Sequence, residues 1–123
     1  TMNRHASSVL AAAVVAALVL GGCGGGEEYG TMTSNRGPTA LSSIVGDPVV
    51  FEGMEVTVTG EIVNECPTGC WFDLRQKGVE IRVDLAPYGL AIPQRVGGTA
   101  TVEGTVVVSD GRPVVHGRGV MIE

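Results

Sequence analysis

The residues of this chain best suited to chemistry are two cysteines within Glu65-Cys66-Pro67-Thr68-Gly69-Cys70-Trp71-Phe72. They stand four apart, with a Pro and a Gly between them, and a strand opening on two aromatics follows. A turn of this composition brings the two Cα atoms to about 5–6 Å, the separation a disulfide prefers. The ring so closed is small, so a bridge contributes at the low end, about 2 kcal/mol, and strain makes it reducible. Two other readings stay open. As a labile bridge the pair is a thiol–disulfide redox site, although the spacing is Cys-x-x-x-Cys and no thioredoxin-like βαβ pattern surrounds it. As paired thiolates, Cys66 and Cys70 are soft ligands for Cu(I) or Zn(II), with His116 or Met121 completing the shell. Met54 and Met121 serve more simply as core fillers. Trp71 either packs the turn against the body of the fold or offers a stacking platform to a ligand. No Ser-His-Asp set, phosphate-cradling Gly loop or His-Glu metal motif occurs, so no enzyme activity is expected, and no cofactor beyond the Cu or Zn alternative.

The scaffold that positions these residues is small. A chain of 123 residues, 44% hydrophobic and 17% charged, admits one domain and an appendage. Its formal charge is -5 and its eight Lys and Arg are scattered, unlike the basic footprint of a nucleic-acid binder, so no nucleic-acid partner is expected. Nineteen glycines with only 4% aromatics fit tightly turned Val- and Thr-bearing strands, so the chain reads as mostly β.

The N-terminal stretch reads as an address. Asn3-Arg4-His5 is a basic lead, and residues 9–20 form a Val, Leu and Ala run too short to span a bilayer comfortably. Leu20-Gly21-Gly22-Cys23 follows, and it resembles the lipobox of bacterial lipoproteins. That resemblance implies cleavage after residue 22, a diacylglyceryl thioether on Cys23, and a lasting membrane anchor, because several acyl chains hold a protein far better than one. Gly24 is not the Asp that retains such proteins at the inner membrane of enteric bacteria, so either membrane is open. The expected location is the cell envelope, with the domain facing periplasm or exterior and an envelope protein as possible partner. Residues 23–38 have almost no apolar content and read as a flexible tether in which Tyr29 and Met32 are simply exposed.

Residues 39–123 form the expected domain. Thr39 caps a helical turn over residues 41–45, which Gly46 and Asp47-Pro48 end. From residue 49 the period is two, with Val56, Val58 and Ile62 on one face and Gly60 in their row. Residues 99–109 repeat the pattern, with Gly104 at the place of Gly60; a missing Cβ in mid-strand marks a bulge or sharp coil. Between them, residues 71–75 place Phe72 and Leu74 on one face, and residues 79–85 place Val79, Ile81, Val83 and Leu85 opposite Glu80, Arg82 and Asp84. The charges Asp73, Arg75, Glu80, Arg82 and Asp84 read as cross-strand pairs on a solvated face. Gln76-Lys77-Gly78 and Asp110-Gly111 are hairpin turns, and residues 86–98 are a loop plugging one mouth of the sheet.

Five strands in this order resemble the OB-fold, a partly open Greek-key barrel. The fold expected is therefore all-β, a small five-stranded OB-like Greek-key barrel after a signal peptide and flexible tether. More narrowly, Val56-Thr57-Val58-Thr59-Gly60, the Cys66–Trp71 segment and Ile92-Pro93 resemble a family of small exported bacterial OB-fold proteins, mostly of unassigned function. The resemblance implies a fold and a site but no substrate. The function expected is a membrane-anchored, non-catalytic binding or assembly module carrying a Cys66–Cys70 bridge.

Overall fold

The computed structural model describes residues 26–33 and 36–123; the expected signal peptide and Cys23 lie outside the described residues. The elements are β1 (Glu27–Gly30), α1 (Leu41–Gly46), α2 (Pro48–Phe51), β2 (Glu55–Glu65), β3 (Trp71–Gln76), β4 (Val79–Asp84), a 3-10 turn (Ala86–Tyr88), β5 (Thr99–Ser109) and β6 (Arg112–Ile122).

Alternating Val, Ile and Leu give each strand one face to bury, and a closed sheet buries all of these faces together. β2 pairs antiparallel with β3 and β5, β3 with β4, and β5 with β6. A short parallel contact, Arg82 to Asp84 against Val114 to His116, joins β4 to β6 and closes the ring. The circuit β2-β3-β4-β6-β5 is the five-stranded Greek-key barrel of OB type. Its interior holds Val58, Ile62, Phe72, Leu74, Val83, Val102, Val106 and Val115, all fully buried.

Two bulges bend the long strands. Val63 is skipped in the register of β2 with β3, and Arg118 in that of β5 with β6. The second lies beside Gly104, where a Cβ would fall 2.1 Å from the His116 carbonyl oxygen, so the expected glycine coil is a close backbone approach. Both hairpins turn on two residues with positive φ, Lys77-Gly78 and Asp110-Gly111, as the type I′ geometry requires.

Several expectations are corrected. The tether reading fails over residues 27–33, because β1 pairs with β6 from Glu27↔Ile122 to Gly30↔Gly119. Thr31 continues the contact by donating its N–H to the Arg118 carbonyl. Polar composition predicted disorder, but a backbone ladder needs no apolar side chains, and Tyr29 packs against the core rather than standing free. Ala40, not Thr39, precedes α1, and the Thr39 N–H goes to the Thr57 carbonyl. Period two begins at Glu55 instead of residue 49, since Pro48 at the first helical position starts a second turn, α2. Leu41 and Ile44 of α1 are buried over the barrel end formed by the Lys77-Gly78 hairpin, where Gln76 accepts the Leu41 N–H. Met54 is exposed and Met121 only half-buried, so neither is a core filler.

Candidate thiol site and outer groove

The bulge at Val63 decides how the cysteine loop begins. Past it, Glu65 stands opposite Phe72, which puts a carboxylate on the inward side at the barrel mouth. Cys66 to Cys70 then turn the chain into β3. Within the loop Gly69 donates its N–H to the Cys66 carbonyl, and Cys66 donates to the carbonyl of Trp71.

The segment after β4 grips this turn from outside. Leu85 donates to the Cys70 carbonyl and Ile92 to the Gly69 carbonyl, while the Ile92 side chain is buried as the plug of the mouth. Gln94 Nε2 donates to the carbonyls of Cys66 and Pro67 at 3.0 and 3.2 Å. The Arg95 N–H reaches Glu65 Oε1 at 2.8 Å, and Glu65 Oε2 is buried with no hydrogen-bond partner among the described residues. Gly69 is required here. Its φ is +75°, and a Cβ would lie 1.9 Å from the Ile92 carbonyl oxygen.

This framework sets the two sulphurs 2.7 Å apart, with Cys66 buried and Cys70 half-buried. Thr68 Oγ1 lies 3.1 Å from Cys66 Sγ. Hydrogen bonding to Cys70, and secondly to Thr68, holds the Cys66 thiol down at about 6, well below the ordinary thiol value of 9.0. The site thus favours either a thiolate at Cys66 or a sulphur–sulphur bond.

The structure brings Cys66 and Cys70 together but does not bring His116 to them. His116 lies on β6 opposite Asp84 and Thr105, and no group of three His, Cys, Asp or Glu side chains able to hold a metal exists among the described residues. Trp71 sits on the outward face of β3 rather than against the core, and the Arg82 guanidinium covers its ring at 3.7 Å from the centroid. Asp73 fixes that guanidinium with a 2.5 Å contact, so this ring face is already occupied. Arg75 and Glu80 form the other cross-strand pair at 2.8 Å.

Next to these pairs runs a groove of about 550 Å³, bounded by β3, β4, the first residues of β6 and Val45 of α1. Its wall carries Asp73, Glu80, Arg82 and Arg112, and Ile81, Pro113 and Val114 line it. Sequence reasoning identified the charges as surface pairs and missed the groove, because Val45 and Arg112 reach it only through the closed topology. Gln94, Arg95 and Glu65 were also missed. Gln94 and Arg95 reach the thiol loop, and Glu65 beside it, from about thirty positions away, and no local pattern marks such contacts.

No protein-family model matches the sequence, and no curated protein matches it. Among solved structures the chain is similar to the hypothetical protein ygiW from E. coli, with a TM-score of 0.56 and 14% identity. The likeness covers 76% of this chain and 98% of that one. At such identity it shows the fold alone.

Proposed function

We propose that this chain is a lipid-anchored binding or assembly module of the bacterial cell envelope, non-catalytic, with a Cys66–Cys70 bridge locking one end of its barrel. The observation that carries the binding role is the outer groove: charges of both signs around an apolar lining fit an extended peptide segment of an envelope protein better than a nucleic acid or an apolar small molecule. The anchor reading is supported by Leu20-Gly21-Gly22-Cys23 behind its apolar run. The bridge is supported by two sulphurs held 2.7 Å apart in a loop fixed by backbone hydrogen bonds from both sides.

The test places a photo-crosslinking residue at Glu80, on the groove wall, or at Glu61, on the exposed side of β2, in the full chain within its native envelope. Adducts with a defined envelope protein from position 80 alone, lost on Arg82→Glu, are expected. No adduct at 80, or equal adducts at both, refutes the groove as binding site. A free-thiol count and elemental analysis without added reductant test the bridge: blocked thiols and no metal are expected, and two free thiolates with bound Cu or Zn overturn it.

One arrangement favours a second reading, thiol–disulfide exchange: Cys70 Sγ at 2.7 Å and Thr68 Oγ1 at 3.1 Å surround the Cys66 sulphur and lower its thiol to about 6. Starting reduced, the Cys66 thiolate attacks a partner disulfide and expels one partner thiolate. Cys70, losing its proton, then displaces the second, leaving a Cys66–Cys70 bridge and a reduced partner dithiol. A redox titration separates the two readings, since a structural bridge resists glutathione and an exchanging one equilibrates with it.

A further inference from the structure

We infer that the barrel stands on the lipid surface with its thiol end down, so that the Cys66–Cys70 loop faces phospholipid headgroups and the helical end points away. The inference rests on the anchoring of Cys23 proposed above, and it adds what the fold does with that anchor.

β1 begins at Glu27, opposite Ile122 near the end of β6. Only Gly24, Gly25 and Gly26 separate it from Cys23, and covalent geometry limits four Cα steps to roughly 14 Å. The point where the anchor leaves the barrel is therefore fixed by the sheet, and it lies at the mouth that holds the thiols. Glu27 Oε1 accepts from Arg95 Nη2 at 2.8 Å, and that pairing keeps the Glu27 carboxyl below the usual carboxylate range. The Arg95 N–H is bonded to Glu65, next to Cys66, and the neighbouring Gln94 to the Cys66 carbonyl. One residue thus ties the anchored strand to the cysteine loop.

The same end is built to meet an interface. Residues 86–98 carry one charged side chain, Arg95, and expose Tyr88 (49%) and Val96 (60%). An exposed Tyr preceded in its turn by Ala86 and Pro87 suits the headgroup level of a bilayer, where an aromatic ring keeps its hydroxyl wet. At the opposite end α1, α2 and the two hairpins face outward, with Val49, Val50 and Met54 exposed. A partner acting on the Cys66–Cys70 pair must then itself be held at the membrane, whereas the far end is open to partners in the aqueous space.

The single Trp of the chain, Trp71, begins β3 immediately after Cys70 and reports on this end without mutation. The full lipidated chain is reconstituted into phosphatidylethanolamine and phosphatidylglycerol vesicles containing a headgroup nitroxide lipid. Loss of Trp71 emission is expected, whereas Trp71→Phe combined with Val50→Trp keeps its emission. A Gly/Ser spacer of about twenty residues after Gly26, adding roughly 25 Å of mean span, restores the Trp71 signal. Equal quenching at both positions, or quenching at position 50 alone, on protein that floats with the vesicles overturns the orientation while leaving the anchor standing. Protein that neither floats nor carries the acyl mass on Cys23 overturns the anchor itself.

Discussion

Replacing Gly69 by Ala perturbs the thiol loop through one added carbon, and the structure sets the size of the effect. An L residue held at φ near +75° costs about 1–2 kcal/mol. The new Cβ also meets the Ile92 carbonyl oxygen at 1.9 Å and two further Ile92 backbone atoms at 3.0 Å, so the loop and the 91–93 segment must separate. Separation breaks the Ile92 N–H bond to the Gly69 carbonyl, worth about 1 kcal/mol net. It also lifts part of the Ile92 side chain, 4% exposed, out of the mouth, at about 1 kcal/mol for a partial loss of its burial. The sum is about 3–4 kcal/mol. Gly78→Ala is the matched control: its φ is +79° but nothing lies within 4 Å of the added carbon, so it bears the conformational cost alone. Gly69→Ala should therefore unfold about 2 kcal/mol earlier than Gly78→Ala, or roughly 8–16 °C lower in Tm for a domain of this size. Urea unfolding and calorimetry of both variants measure the gap. Equal stabilities would show that the 91–93 segment does not clamp the loop and would remove the basis for a preorganised thiol pair.

Cys66→Ser with Cys70→Ser should cost about 2 kcal/mol relative to protein isolated without reductant, from loss of a small closed ring. Reductant should lower the unmodified protein by the same amount, and indifference to reductant in thermal unfolding would refute the bridge. In the reduced protein, alkylation of Cys66 by iodoacetamide should reach half its maximal rate near pH 6, and Thr68→Val should move that midpoint upward; a midpoint at the ordinary thiol value contradicts the geometry. The stability sign follows, since the folded protein binds fewer protons than the unfolded chain between about 6 and 9.0: the contribution is full above the upper value and lost as pH falls through the lower, which urea unfolding against pH checks. Arg118→Ala leaves Glu103, 3% exposed, without this cation and frees the Thr31 carbonyl, so it should cost about 3 kcal/mol and open residues 27–33 to protease; a surface-like loss under 1 kcal/mol argues against the clamp.

What could be read in the sequence was whatever local pattern determines. Alternation fixed the inward rows of β3 and β4, and Asp110-Gly111 fixed the last hairpin, because both are set within a few residues. The cysteine pair was visible for the same reason, as a four-residue spacing in a turn. Contacts that depend on register were not visible. The bulge at Arg118 turns that side chain toward Glu103, Glu55 and the Thr31 carbonyl, and nothing near residue 118 announces it. Likewise the bulge at Val63 sends Glu65 inward when strict alternation would send it to solvent. The polar residues 27–30 looked like tether because composition measures what side chains bury and is silent on the backbone bonds an open edge offers.

That open edge explains why β1 exists. β6 is longer than the partner available to it on that side: β4 pairs only with Val114 to His116 before the chain turns away at Leu85. The remaining donors and acceptors, from Gly119 to Ile122, would face water as an unprotected edge, and β1 covers them residue for residue. The Arg118 bulge then pins the strand's exit through Thr31. Covering the edge takes up residues that would otherwise serve as spacer, so under the proposed anchoring at Cys23 protecting the edge and shortening the tether are the same structural event. On the proposed anchoring, a chain that kept the barrel but lengthened the segment before Glu27 would keep its stability and lose the short tether that sets which end meets the membrane.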